Sequence, residues 1–402
     1  MRKSRTIGVI GICIIFMIIF IRSLPEALYF QSLPFIQGYF HARLEQTQLT
    51  VIVFCLLLAF SQLVFGSLSD KYGRKIILII GLAILTVSSI LCVYAESITQ
   101  LIILRAFQGI GSGAEFGIVS AILIDVFKDE KRTVAVVSFA ELLYGMSLIV
   151  FPFIGGYLQA NFNWKANFIF MGGVGLVLII GLMFFVPETN SSLQTNMSLK
   201  KSCIYYLRFS TDKRHLSLAS MATMCVGTLV CFNVINPFLV EKQLGYSALI
   251  YGRYLLVNGI MCTLGVVFNI FLLKRYSHVL LTGVGILIAT IGVCTLLLFV
   301  ILGYFNIYTV FIPMYITTFG AAIVLPNSMA SAIYKYPEIA GTCGSHMSLL
   351  YLLGASVVLA IISLFHSYSI VLLLTTIMIM NFIILITYFV YIRDKGNISS
   401  QS

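Results

Sequence analysis

The sequence predicts an all-α integral membrane protein whose twelve transmembrane helices form two six-helix bundles. Three observations predict it. Sixty per cent of the residues are hydrophobic and only 10% are charged; apolar runs long enough to span a bilayer recur twelve times; and nearly all Lys and Arg fall on one side of the resulting alternation. A soluble domain carries about 25% charged residues. No water-facing core hides this much apolar surface, so lipid is the solvent.

The elements follow in order. Met1-Arg-Lys-Ser-Arg5 and the apolar run Ile7 to Ile21 imitate a signal peptide. The run is long, no A-x-A-like site follows closely and further spans come after it, so it reads as a retained first helix. The twelve runs cover roughly 7–38, 49–69, 76–94, 101–125, 134–157, 166–186, 216–238, 250–273, 279–302, 306–332, 343–364 and 368–392. The first is overlong and carries Pro25 and Pro34, which predicts a kink. The longest polar segment, 187–215, separates an N-terminal bundle, 1–186, from a C-terminal bundle, 216–402. A six–loop–six layout predicts two structural repeats, although direct self-similarity is weak.

With an even number of spans both termini share one side. Of 25 Lys and Arg, Arg43, Lys165, Lys242 and Arg253 fall opposite the termini, Arg22 and Arg105 lie inside spans, and all others join the termini. The positive-inside rule therefore predicts cytoplasmic termini and a cytoplasmic 187–215 segment. A net charge of +11 would point to nucleic acid in a soluble protein, but these charges sit in short loops without interleaved aromatics, which argues against it.

Nine cysteines are scattered, mostly in apolar runs and with no C-x-x-C, and behave as small hydrophobes. His41, His215, His278, His346 and His366 have no metal-ligand spacing among themselves. No nucleophile, phosphate-loop or metalloprotease motif occurs, so neither an enzyme nor an ATP-driven mechanism is expected. No cofactor or metal is expected.

Gly66-Ser-Leu-Ser-Asp-Lys-Tyr-Gly-Arg-Lys75 links the second and third spans. Glycine gives such a tight link backbone freedom, and Asp70 and Arg74 can bind neighbouring helix ends. The fourth span holds Arg105-Ala-Phe-Gln-Gly-Ile-Gly111, and an arginine inside a span must meet protein or water. The fifth span carries Gly145 and Phe151-Pro-Phe-Ile-Gly-Gly156, followed by Asn163-Trp-Lys-Ala-Asn-Phe168. The first stretch resembles the signature loop of the major facilitator superfamily, G-x-L-x-D-[RK]-x-G-R-[RK], at every defined position: Gly66, Leu68, Asp70, Lys71, Gly73, Arg74 and Lys75. The second resembles the superfamily's R-x-x-Q-G-x-G. The third is similar to the antiporter motif ending G-P-x-x-G-G, with Pro152, Gly155 and Gly156 matching. Phe151 replaces the glycine before proline, and Ser138 and Ser147 replace two upstream glycines. Together they resemble the twelve-helix drug:proton antiporter family, near its Bcr/CflA and MdfA-like members.

Acids inside apolar runs are functional candidates with a partner to be named. Glu26 follows Arg22 by four residues and could pair with it on one helix face. Asp125 ends the fourth span, where the resemblance implies a structural acid near the signature loop. Glu141 lies eleven residues before Pro152, about 16 Å up the same helix. Glu115 lies ten residues from both Arg105 and Asp125, on another face from each. The C-terminal spans hold almost no charge but offer Asn233 and Asn236, with Asn258, Asn269 and Asn327 beyond, which could line a cavity or bridge helices.

The resemblance implies the major facilitator fold and proton-coupled export of a small molecule by alternating access, with the proton as coupling ion. Glu26 and Glu141 are the first candidates to carry it, with Arg105 modulating them. A proton-coupled importer of a metabolite is the alternative within transport, and a transport-inactive sensor the alternative outside it. The expected partners are the bilayer and a lipophilic or cationic substrate. A monomer in a bacterial cytoplasmic (inner) membrane is expected.

Overall fold

The computed structural model describes residues 7–127, 130–190, 205, 207–334, 340–365 and 369–399. Proline shapes its first span. The overlong run is three helices in succession, α1 (Val9–Ile21), α2 (Leu24–Phe30) and α3 (Leu33–Tyr39), with Pro25 and Pro34 in the first turns of α2 and α3. Proline lacks an N–H and its ring clashes with the carbonyl four residues earlier, so the helix must restart at each.

The N-terminal half continues with α4 (Leu44–Tyr72), α5 (Arg74–Cys92), α6 (Ile98–Val126), α7 (Glu130–Asn161) and α8 (Trp164–Phe185). Gly73 separates α4 from α5 at φ +107°, a conformation L side chains rarely adopt. The C-terminal half has α9 (Lys213–Pro237), α10 (Ala248–Leu273), α11 (His278–Ile301), α12 (Ile307–Tyr334), α13 (Ala340–Ser363) and α14 (Ile370–Ser399). Side-chain caps start α6, α8, α9, α10 and α11 at Ser97, Asn163, Asp212, Ser247 and Ser277. Each satisfies an N–H that the first helical turn leaves free.

Among the described residues there is no strand, and eleven helices are long and apolar enough to cross a membrane. The remaining long helix, α6, carries Arg105, Glu115 and Asp125 over its 29 residues. α9 extends past the expected end near 238. It passes Pro237 into a π-helical turn, Phe238–Gln243, where Leu244 N–H reaches Leu239 O at 3.0 Å. This wider turn brings Glu241 and Lys242 into the helix instead of the following loop.

The chain forms two compact units, Met1–Lys201 and Ser202–Ser402. In the first, α6 packs against α4 and α5, α8 against α5, and α7 against α1 and α2. Between lipid-solvated helices, close packing takes over from hydrophobic drive, and small residues permit it. A Cβ on Gly109 would strike the Phe54 carbonyl of α4, and one on Gly111 would sit 2.6 Å from the Leu85 amide of α5. In the second unit α9 packs on α12, α13 and α14, and α12 on α10 and α11. Amides bridge one of these helix pairs, α10 and α12, at two places: Asn269 and Asn327 exchange hydrogen bonds of 3.2 and 2.9 Å, and Thr318 donates to Asn258 at 3.0 Å. Large apolar side chains such as Ile80, Phe184, Phe271 and Phe382 project outward, as lipid solvation allows.

Candidate functional site

Arg105 of α6 is fully buried in the N-terminal unit. Its guanidinium carbon lies 4.1 Å from the ring centre of Tyr29 on α2 and 4.1 Å from that of Phe54 on α4. Planar guanidinium groups stack on aromatic faces and are less strongly hydrated than ammonium, so an arginine suits this slot. Nη1 donates to Pro25 O at 3.0 Å and to Gln108 Oε1 at 2.8 Å. Gln108 in turn donates to Ser89 Oγ of α5 at 2.7 Å. The glycines of the same motif explain the slot. Gly109 brings α4 close enough for Phe54 to cover Arg105, and Gly111 does the same for α5 and Ser89. Arg105 Nε and Nη2 make no hydrogen bond among the described residues.

Glu26 follows the break and is partly buried, and the charges of Arg105 and Arg22 act on it. The chain turns at Arg22–Ser23, between the two residues of the Arg22–Glu26 interval. Arg22 also places its guanidinium 4.1 Å over the Tyr144 ring of α7. Glu115 is 1% exposed, and neither carboxylate oxygen accepts a hydrogen bond among the described residues. The charge of Arg22 acts on it. Glu141 falls on α7, but its side chain lies outside the described residues, as does that of Ser138.

The antiporter motif packs α7 against the broken first span. Ser147, where the family pattern has glycine, shares a 2.6 Å hydrogen bond with Ser23 at the α1–α2 break, and both are buried. A Cβ on Gly155 would lie 3.0 Å from Leu28 Cα of α2 and 3.0 Å from Cγ of Gln31, which caps its end. Gly145 has open space instead. Pro152 and Gly156 are buried within α7. Phe151 is buried with its ring 5.1 Å from that of Phe20, so here the substituted position fills the core.

The signature loop forms a charged cluster. Arg74 Nη1 meets Asp70 Oδ1 at 2.6 Å, Arg74 Nε meets Asp125 Oδ2 at 3.3 Å, and Nη1 also donates to Ser69 Oγ at 2.6 Å. Glu188, which the sequence reading did not single out, completes it. The Arg74 and Lys75 backbone N–H groups donate to its two oxygens at 2.8 and 3.1 Å. Lys75 Nζ donates to Met183 O at 2.9 Å, and Asn190 Nδ2 to Asp70 O at 3.1 Å. A lone acid two residues past the sixth apolar run was the only signal for Glu188. Gly66 is partly buried on α4, with no atom within 4 Å of where its Cβ would be.

Against this geometry, a family model described as Major Facilitator Superfamily matches residues 15–358. The chain belongs to the Major Facilitator Superfamily. It is therefore a multi-pass membrane transporter and not an enzyme. This superfamily member is 27% identical to an uncharacterized transporter of Rickettsia felis over 359 residues, covering 86% of this chain and 87% of that protein. It is 23% identical over 371 residues to multidrug resistance protein D of Escherichia coli, covering 89% of each. Among solved structures it resembles a bacterial homologue of the human lysosomal transporter Spinster in an inward-facing, unoccupied conformation. That match has TM-score 0.73 at 15% identity and covers 95% of this chain and 96% of that one. The drug-resistance relatives agree with the group to which the motifs pointed.

In the C-terminal unit of this transporter, Asn233 of α9 is partly buried, and Asn236 is fully buried with neither amide atom hydrogen-bonded among the described residues. Asn258, Asn269 and Asn327 are helix bridges, whereas Asn236 is not. Among the described residues no group of three or more His, Cys, Asp or Glu could hold a metal ion.

Proposed function

We propose that the protein exports small lipophilic or cationic molecules across a bacterial cytoplasmic membrane in exchange for protons. The observation that carries this reading is the buried Glu115 carboxyl, which has no hydrogen-bond donor among the described residues and shares a unit with Glu26, Arg22 and Arg105. A carboxylate buried without a donor is costly, while the neutral acid is tolerated. A change in exposure during alternating access then changes the proton occupancy of such a group. Glu115 thus joins Glu26 and Glu141 as a proton carrier, with Arg105 setting the local field. Asp70, Arg74 and Asp125 act as the cytoplasmic gate. The names of the drug-resistance relatives support export.

The test is proton flux in proteoliposomes under an imposed pH gradient, with cationic and neutral drugs added. Export predicts drug movement opposite to proton movement, and Glu26→Gln, Glu115→Gln and Glu141→Gln together abolish the coupling. Movement of both in one direction would favour the importer. Coupling unchanged in the triple variant would remove these acids from the mechanism.

A further inference from the structure

The C-terminal unit holds a second set of buried polar groups that the proton mechanism does not use. It gathers where α9 passes into its π-helical turn. Both oxygens of Glu241 are shielded from solvent and accept no hydrogen bond among the described residues. Asn236, five residues earlier, is fully buried with both amide atoms in the same condition. Tyr251, in the first turn of α10, is fully buried with its hydroxyl likewise unengaged, and the charge of Glu241 acts on it. Buried polar groups are almost always hydrogen-bonded, so three such side chains in one region call for a partner. π-helical turns inside helices are frequently found at functional sites. The neighbouring cation, Lys242, places its ammonium 5.4 Å over the Phe238 ring, and its charge also acts on Glu241 without donating to either carboxylate oxygen.

Aromatic rings adjoin these groups. Phe232 lies one turn before Asn236 on α9, so the two share a face. Its ring is 5.6 Å from that of Phe311 on α12. Phe311 is also 6.2 Å from Tyr251, 4.9 Å from Tyr254 and 5.8 Å from Tyr315. Three helices thus bring one carboxylate, one amide, one phenol and a group of aromatic faces to the Gln243 end of the seventh span.

We propose that Glu241, Asn236 and Tyr251 form a binding site for the ammonium group of a primary aryl-alkyl amine. The Glu241 carboxylate, the Asn236 carbonyl and the Tyr251 hydroxyl oxygen supply three acceptors for the three N–H donors of R–NH₃⁺. The carboxylate supplies the counter-charge, and the Phe232–Phe311 cluster receives the aryl group. Neutral molecules of the same shape lack the charged donors and leave the carboxylate oxygens without hydrogen bonds. The site does not depend on proton coupling or transport direction, and binding tests it independently of both.

The experiment is equilibrium binding of 1-naphthylmethylammonium to the purified full-length protein in detergent, with 1-naphthylmethanol as the neutral comparator. Glu241→Gln should weaken the cation about tenfold or more while changing the alcohol by less than about twofold, the loss of one charge-assisted hydrogen bond. Asn236→Ala and Tyr251→Phe should each cost about threefold or more for the cation. Equal cation affinity in wild type and a folded Glu241→Gln variant would overturn the site. Should that variant fail to fold, carbodiimide coupling of 1-naphthylmethylamine to the wild type decides: the activated Glu241 carboxyl is trapped by the bound amine as an amide, with release of the urea. Amide formation at Glu241 that saturates with amine concentration supports the site, and its absence overturns it.

Discussion

Glu188 caps the start of α5: its two oxygens receive the backbone N–H groups of Arg74 and Lys75 at 2.8 and 3.1 Å. The same carboxylate sits where a Cβ on Gly73 would fall, 2.5 Å from Glu188 Oε2. A helix N-terminus carries free N–H groups and the positive end of the dipole, so a carboxylate stabilises it by ~1 kcal/mol or somewhat more. The link between α4 and α5 is therefore held by a residue more than a hundred positions away in sequence.

Glu188→Ala should lower thermal stability in detergent by the equivalent of ~1–2 kcal/mol. Gly73→Ala should cost at least ~1 kcal/mol from its positive φ alone, with the clash in addition. The double variant should cost less than the sum, because removing the Glu188 side chain relieves the clash. Strictly additive melting-temperature shifts would separate the two residues.

A second prediction concerns the aromatic slot. Arg105→Lys keeps the charge but loses the planar face stacked between Tyr29 and Phe54. Substrate-stimulated proton flux should fall at least about tenfold although the variant still inserts. Phe54→Leu removes one of two cation–π contacts, each worth ~0.5–2 kcal/mol, and should fall between wild type and Arg105→Lys. Full flux in Arg105→Lys would show that charge alone suffices.

Much of the fold could be read because a bilayer is a demanding solvent. Apolar run length gives the spans, and Pro25 and Pro34 gave the kink, since no helix interior hides a missing N–H. Gly73, Gly109 and Gly111 stood out because only glycine fits such approaches. The partners of Arg105 did not stand out: Tyr29 and Phe54 come from other helices, and any of 31 Phe and 21 Tyr could have served. Glu241 escaped because an apolar run ending at 238 left it in a loop, and only the π-helical turn carries the helix past it. The contact of Arg22 with the Tyr144 ring could not be read for the same reason as those of Arg105: Tyr144 comes from another helix.

The third prediction concerns sidedness. The distribution of 25 Lys and Arg predicts that both termini and the 187–215 segment are cytoplasmic. An impermeant maleimide added to intact cells should miss Cys203. It should label a cysteine placed at Ala42, in the loop between the first and second spans. The reverse pattern would invert the topology and with it the side assigned to the Arg74 cluster.

The last prediction separates the two glycines of the antiporter motif, which a sequence pattern treats alike. A Cβ at Gly155 would lie 3.0 Å from Leu28 Cα, closer than ordinary van der Waals contact. The backbone of α2 cannot yield as a flexible side chain would, because Leu28 sits between the restarts at Pro25 and Pro34. Gly155→Val must therefore push α7 away from α2, and overpacking of this kind typically costs ~1–3 kcal/mol. The shift also strains the Ser23–Ser147 hydrogen bond, which ties α7 to the break just before Glu26. Gly145 has no atom within 4 Å of its Cβ position, so the Cβ of Gly145→Val meets no neighbour. Valine has the higher helix propensity of the two residues, so this variant should be neutral or slightly stabilised, by under ~1 kcal/mol. Thermal unfolding and proton flux measured on both variants should show Gly155→Val destabilised and uncoupled and Gly145→Val close to wild type. Equal loss of flux in the two would mean that Gly145 serves a conformation in which α7 packs differently from the arrangement described.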